Sequence, residues 1–242
     1  MEEALANASW LQSRREAAWA HGRERRDRLL SEYQQKYRLA EPPPPAKVVD
    51  AILTELLNVK LYFDPLDPDR FAETRFEDGR AIVTVNSELG RIEGVKDETG
   101  VANVAMWHEV IHVTDDVDIL LRPASAQLPG FDEPPSIVCY RTPRGSRALN
   151  SDRLEREFWA EEAGRAAAIS HEALRRTESF QELMRAATRA RGPVRSAWPL
   201  LYKSATAIGV NITALVRQLE LEGRIVKQGK DIFVQAGLSG AI

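Results

Sequence analysis

The sequence predicts a protein of the α+β class, with a mainly helical chain that carries one small antiparallel sheet. Three observations support this class. Long segments free of proline and glycine repeat apolar residues at helical spacing, as in Val101–His112. Alternating apolar residues flank the turn Glu77–Arg80 near the middle of the chain. A second pair of short helices and alternating segments follows residue 194, so we expect a smaller unit at the C-terminus.

The composition excludes several classes of protein. Hydrophobic residues make up 43% of the chain and charged residues 29%, as in ordinary globular proteins, and a net charge of −3 gives no overall attraction to nucleic acid. No segment approaches the roughly 20 apolar residues of a membrane span, and the N-terminus lacks the apolar core of a secretory signal. Because Cys139 is the single cysteine, no intramolecular disulfide can form. We therefore expect a cytoplasmic protein without membrane contact.

Residues 1–40 predict an N-terminal helical extension, because they are rich in Ala, Glu, Arg and Leu and contain no proline. The run Pro42–Pro45 then ends this helix and stiffens the link to a central domain over residues 41–178. The apolar spacing of Val48–Leu57 predicts the first helix of that domain, which Asn58 closes.

A small sheet follows this helix. Lys60–Phe63 is a short strand, and Phe71–Phe76 and Ala81–Val85 form a hairpin, since Asp78 and Gly79 give a strong turn signal. We expect about three strands, all antiparallel. The segment Arg122–Asn150 contains many prolines and is predicted to be a long loop, a feature that is often functional.

The sharpest motif is His108-Glu109-Val110-Ile111-His112, which lies on a predicted apolar helix. Residues four apart lie on the same helical face, so both imidazoles can reach one metal ion while Glu109 lies beside a water on that ion. This pattern predicts metal-assisted peptide hydrolysis, with Glu109 accepting the proton of the water. Tyr140 or Arg141, in the predicted loop, could donate to a developing oxyanion or could simply pack at the surface.

A third ligand is expected from the helix predicted over Asp152–Arg175. Glu157 and Glu161 share one face of it, and either carboxylate would complete a three-ligand site with a fourth position for water. Asp115 and Asp116 follow the motif as further ligands or, more in keeping with their position, as partners that orient a histidine. The remaining histidines of the chain, which we expect at the surface, are His21 and His171.

The expected ion is Zn²⁺, because two imidazoles and a carboxylate are typical zinc ligands. Mn²⁺ is also possible, since a site with an oxygen ligand and water does not exclude it.

Residues 179–242 predict a winged helix-turn-helix domain. A short helix is followed by a turn at Gly209–Asn211, a second helix over Ile212–Glu222, and a hairpin around Gln228 and Gly229. Three side chains of the second helix could reach base edges: Thr213, Arg217 and Gln218. Glu220 and Glu222 on the same helix would repel phosphate, so a structural or protein-binding role is an equal alternative.

The order of these elements resembles the ImmA/IrrE family of metallopeptidases. The similarity covers roughly Glu32 to Val234 and rests on the proline run with its following helix, on the motif turn, and on softer patterns in Ile82–Asn86, Glu157–Gly164 and the C-terminal helix-turn-helix. This resemblance implies a mainly helical, zincin-like core in which His108, His112 and Glu157 hold the metal and Glu109 acts as the base.

The resemblance also implies a function. Members of the family are similar in cleaving helix-turn-helix repressors, which derepresses a stress or mobile-element response, so the expected partner is a protein substrate of that kind. Two alternatives remain open at this point. One is a DNA-binding transcriptional regulator whose metal site is structural or vestigial. The other is a partner protein that sequesters a repressor without cutting it.

Overall fold

The motif helix lies in the core of the molecule, in a computed structural model that describes residues 2–116, 136–140, 151–190 and 192–235. This helix, α3 (Glu98–Asp115), begins at Asp97, whose side chain accepts a hydrogen bond from the backbone N–H of Gly100. Its second half is buried without interruption from Ala105 to Val113. The α+β class predicted from the sequence is confirmed.

The N-terminal segment forms one long helix, α1 (Glu2–Tyr37), as predicted. It buries Ala18 and Trp19 against the rest of the chain. After the prolines, the predicted core helix is present but irregular. It comprises α2 (Val49–Ala51) and a wider π-helical turn over Ile52–Leu56.

The first three strands form a mixed sheet rather than the antiparallel sheet that was predicted. They are β1 (Lys60–Asp64), β2 (Arg70–Glu77) and β3 (Arg80–Asn86). The predicted hairpin joins β2 to β3, but β1 lies parallel to β3 on its other side. The prediction was wrong because it assumed that strands adjacent in sequence pair with each other.

The connection from β1 to β2 passes the end of β3, which lies between these two strands in the sheet. Asn86 stabilises this connection. Its buried side chain donates to the carbonyl of Arg70 at 2.9 Å and accepts from the backbone N–H of Leu66 at 3.3 Å and from that of Glu88 at 2.9 Å. One side chain thereby satisfies backbone groups that the crossing connection leaves without strand partners.

A short fourth strand, β4 (Ser136–Tyr140), pairs antiparallel with β2 on the side away from β3. The sequence prediction of a continuous loop over Arg122–Asn150 was wrong for these five residues. The apolar run at Ile137–Cys139 carries the strand pattern, but the flanking prolines obscured it.

The remaining helices form the second half of the molecule. The helix predicted over Asp152–Arg175 is divided at Ser170, which caps a new helix through Ala173 N–H. The elements are α4 (Ser151–Ala168), α5 (His171–Arg176), α6 (Glu178–Arg189), α7 (Ala197–Ile208), α8 (Ile212–Leu221), β5 (Ile225–Gln228) and β6 (Asp231–Val234). The predicted N-cap at Asn211 and the predicted hairpin around Gly229 are confirmed.

The C-terminal helices share one apolar core with the motif helix. Met106 and Trp107 of α3 belong to the same buried cluster as Leu201 of α7 and Leu215 of α8. Shared apolar contacts of this kind favour packing of the C-terminal unit against α3. Among the described residues, none of the helices is both long and apolar enough to cross a membrane.

Candidate metal centre

The two histidines of the motif and Glu157 meet in one place. The Nε2 atoms of His108 and His112 lie 2.9 Å apart. Oε2 of Glu157 lies 3.4 Å from His108 Nε2, and Oε1 lies 3.7 Å from His112 Nε2. All three ligand atoms lie within 4.8 Å of one another, so a single ion could contact all of them.

The close approach of the two helices that carry these side chains depends on a glycine. Gly164 of α4 packs on the backbone of α3, and a Cβ built at this position would lie 2.7 Å from His108 Cα. The two helices therefore cross at a distance that only glycine permits, two turns along α4 from Glu157. This crossing sets how far the Glu157 carboxylate reaches toward the imidazoles of α3.

The donor set fits a divalent cation. His108 and His112 are buried, and the side chain of Glu157 is only 12% exposed. Oε1 of Glu157 is buried and accepts no hydrogen bond from the described residues. A buried carboxylate oxygen without a partner is costly, and an ion between these three side chains would remove that cost. Two imidazoles with one carboxylate are the ligands expected for zinc.

Asp116, just after α3, holds the orientation of His112. His112 Nδ1 lies 2.7 Å from Asp116 Oδ2, and because an ionised carboxylate can only accept, the imidazole donates through Nδ1. This hydrogen bond leaves Nε2 with its lone pair facing His108 and Glu157. Asp115 points elsewhere, to His21 at 2.6 Å and Arg25 at 2.9 Å.

Glu109 lies beside the cluster and is fully buried. The hydroxyl of Thr74, on β2, donates to Oε2, whereas Oε1 has no hydrogen-bond partner among the described residues. Burial raises the pKa of Glu109, and the charges of His108 and His112 and the hydrogen bond from Thr74 only partly offset that rise. Thr74 thus fixes one oxygen of the carboxylate while the other stays available to accept a proton.

The structure separates the two glutamates that the sequence left open. Glu161 is not in the cluster: its side chain is 68% exposed and pairs with Arg165 at 3.3 Å. Glu157, one turn earlier, faces both imidazoles. Neither of the other two histidines lies in the cluster. His21 packs against Trp159, and His171 pairs with Glu222.

Tyr140 and Arg141 were the two candidates for oxyanion stabilisation. Tyr140 is the last residue of β4, the strand that pairs with β2. Arg141 lies outside the described residues.

A cavity of about 240 Å³ opens next to His108. Apolar side chains of β2 and α3, among them Phe71 and Val104, form one part of its lining. Arg165 of α4 and Arg217 of α8 form another part. The cavity has space for a few atoms of a ligand directly beside the histidine.

Of the three side chains that were predicted to reach base edges, two line this cavity and the third is buried against α4. Gln218 is 1% exposed and accepts a hydrogen bond from Arg165 at 3.2 Å. Thr213 and Arg217 line the cavity beside His108. Gln218 could not reach a base edge unless α8 separated from α4, whereas Thr213 and Arg217 are exposed.

Comparison with protein-family models, with curated proteins and with solved structures finds no match for this chain. The site therefore has to be interpreted from its own residues. Sequence reasoning missed Thr74 and Arg165. The single available signal for Thr74 was its place in an alternating strand, and Arg165 had none beyond its charge.

Proposed function

We propose that this protein is a metal-dependent endopeptidase. The observation that carries the proposal is the cluster of His108, His112 and Glu157 with Glu109 buried at its side. Structural zinc sites usually close the ion with four protein ligands, whereas hydrolytic sites use three and leave a position open. This site corresponds to the hydrolytic kind. It has three candidate ligands with a carboxylate next to them, and a cavity adjoins one of the ligands, His108.

Each side chain has a definite task in this proposal. His108, His112 and Glu157 would hold the ion, which when bound supplies Lewis-acid polarisation of the scissile carbonyl and makes water more acidic. Glu109 accepts the proton of the attacking water at Oε1 and delivers it to the leaving amine nitrogen. Thr74 keeps Glu109 in place through Oε2, and Asp116 keeps His112 in the tautomer that presents Nε2 inward. Zn²⁺ is the ion that this donor set favours, and Mn²⁺ is the alternative.

The wider role follows from the resemblance to ImmA/IrrE metallopeptidases. We propose a substrate that is a helix-turn-helix repressor, cleaved in the cytoplasm during a stress or mobile-element response. The close approach of α3 and α4 around the cluster supports a metallopeptidase core of the kind that this resemblance implies. The succession of α7, α8 and the β5–β6 hairpin supports a winged helix-turn-helix for the C-terminal unit.

The proposal is tested by removing the base while keeping the ligands. Zinc-loaded protein is incubated with a degenerate peptide library, and new peptide termini are read by mass spectrometry. Glu109→Gln should lower cleavage by about 10²–10⁴-fold while the fold and the bound zinc are retained. Glu98→Gln, an exposed change in the first turn of the same helix, is the matched control and should cleave normally. Equal cleavage by wild type and Glu109→Gln would rule out the assignment.

A further inference from the structure

The cavity beside His108 is built from two parts of the chain. Its apolar part comes from β2 and α3 of the central domain. Its polar part includes Thr213 and Arg217, which belong to α8 of the C-terminal unit. His108 is the one proposed ligand in the lining, so a peptide segment in the cavity would touch the C-terminal unit as well as the helix that carries His108.

Several contacts join α8 and the turn before it to α3 and α4. Asn103 of α3 donates to the carbonyl of Gly209, in the turn before α8, at 2.8 Å. Gly100 packs so closely on the same turn that a Cβ there would lie 2.5 Å from the backbone N of Asn211. At the other end of the interface, Arg165 of α4 donates to Gln218 inside a buried contact. These contacts bring Thr213 and Arg217 of α8 to the cavity that His108 also lines.

The two arginines of the cavity differ in how their charges are balanced. Arg165 is buried and is neutralised by ion pairs with Glu161 and Glu162. Arg217 is exposed, and within the described part of the chain it forms neither a hydrogen bond nor an ion pair. The cavity therefore contains one cationic side chain, Arg217, whose hydrogen-bond donors are not used by any of the described residues.

We propose that Arg217 is a specificity-determining residue that binds a carboxylate of the peptide substrate close to the scissile bond. The inference rests on the proposed endopeptidase function and adds a substrate class to it. A guanidinium binds carboxylates through paired N–H donors in a planar geometry that matches the two carboxylate oxygens. The apolar lining from Phe71 and Val104 would accept the aliphatic part of the same residue or of its neighbour.

The carboxylate could belong to an Asp or Glu side chain or to the free C-terminus of the peptide. Two forms of one degenerate library distinguish these sources, because one form ends in an amide and the other in a free acid. Cleavage confined to positions near an internal Asp or Glu in the amidated form identifies a side chain. Cleavage that requires the free acid identifies the terminal carboxylate.

The decisive comparison is between Arg217→Glu and Lys203→Glu. Both variants reverse one exposed charge in the C-terminal unit, but Lys203, on α7, does not line the cavity. Arg217→Glu should raise KM for carboxylate-containing peptides by about fivefold or more and should shift cleavage toward Lys or Arg at that position. The zinc affinity of Arg217→Glu should stay unchanged, and Lys203→Glu should behave as wild type in both cleavage and zinc binding.

Binding gives a second readout that does not depend on turnover. In the zinc-loaded Glu109→Gln protein, fluorescence anisotropy compares a labelled acidic peptide from the cleaved set with its Asn or Gln counterpart. The acidic peptide should bind more tightly, and Arg217→Glu added to this background should remove or reverse the difference.

The outcomes separate this inference from the proposed function. A carboxylate preference that Arg217→Glu removes supports the inference. Cleavage that depends on Glu109 but shows no carboxylate preference, or a preference that Arg217→Glu leaves intact, overturns the role of Arg217 and leaves the peptidase standing. The absence of Glu109-dependent cleavage from both libraries overturns the peptidase and the role of Arg217 with it.

Discussion

Two buried or nearly buried carboxylates on α4 have opposite surroundings. Glu162 faces α1, where Trp19 donates to it at 2.9 Å and Arg15 at 3.2 Å, and Arg165 pairs with it from the next turn. Glu157 faces α3, where it meets two imidazoles, and one of its oxygens accepts no hydrogen bond from the part of the chain that the structure describes. Glu162 is paired with two arginines, whereas the ion-pair partners of Glu157 among the described residues are the imidazoles of His108 and His112. The hydrogen-bond and ion-pair partners of the two side chains, rather than their burial, therefore distinguish the proposed metal ligand from the structural acid.

The largest expected effect is the difference in zinc affinity between variants that replace one or the other of these two carboxylates. Apparent zinc-binding free energies of about 10–16 kcal/mol, shared among three or four ligands, give about 4 kcal/mol for each ligand. Glu157→Gln should therefore weaken zinc binding by roughly a thousandfold. Glu162→Gln should leave it unchanged. Competition with a fluorescent zinc chelator measures both, and equal affinities for the two variants would contradict the ligand assignment of Glu157.

Glu162→Gln should instead lower the free energy of unfolding by about 3 kcal/mol, because it leaves the buried Arg165 without its main counter-charge. Burial alone would raise the pKa of Glu162, but Arg165, Trp19 and Arg15 outweigh burial and hold the pKa below its ordinary value. The stabilisation is therefore present above pH 4.5 and is lost as the pH falls through the lowered folded value.

The measurement for this second prediction is urea denaturation of both proteins at pH 7 and at pH 3.5–4.5, with chelator present throughout. The difference between wild type and Glu162→Gln should shrink as the medium becomes more acidic. A difference that grows toward acid pH would show that Glu162 is not held ionised by its partners.

Gly164→Ala should change both quantities, the stability of the protein and its zinc affinity. The added Cβ would lie 2.7 Å from His108 Cα, so α4 has to move away from α3. We expect a loss of about 2 kcal/mol in stability, together with weaker zinc binding as Glu157 is withdrawn. Gly192→Ala, where a Cβ meets no atom within 4 Å, is the matched control. Wild-type zinc affinity in Gly164→Ala would show that the helix crossing does not position the carboxylate.

The smallest predicted effect concerns the partner of His112. Asp116→Asn should weaken zinc binding by about tenfold, because the amide no longer fixes the Nδ1–H tautomer as a carboxylate does. Asp115→Asn changes the neighbouring acid, which contacts His21 and Arg25, and should leave zinc affinity as it is. The same zinc competition assay compares the two variants, and a larger loss in Asp115→Asn would reverse their roles.

The sequence predicted correctly the features that depend on residues close together in the chain. The four-residue spacing of His108 and His112 needs only one helical turn, and the structure has that turn. The choice between Glu157 and Glu161 could not be made, because both share a face and the rotation of α4 against α3 depends on a tertiary contact. A glycine inside a helix costs about 1 kcal/mol relative to alanine, so Gly164 was the available hint of a close crossing.

The errors in the fold have the same origin. The parallel placement of β1 depends on the hydrogen bonds of Asn86 to a connection many residues away, and no periodicity encodes them. The strand β4 needs the edge of β2 to form its ladder. The position of α8 over the cavity depends on buried contacts such as the one between Arg165 and Gln218, which pattern analysis of a helix-turn-helix does not reveal.

The most direct test of the account is zinc K-edge X-ray absorption on protein purified without a histidine tag and loaded with one equivalent of Zn²⁺. The account predicts a first shell of nitrogen and oxygen atoms with the scattering of two imidazoles, falling to one imidazole in His108→Ala. A sulfur ligand, or a spectrum that is identical in wild type and His108→Ala, would contradict it.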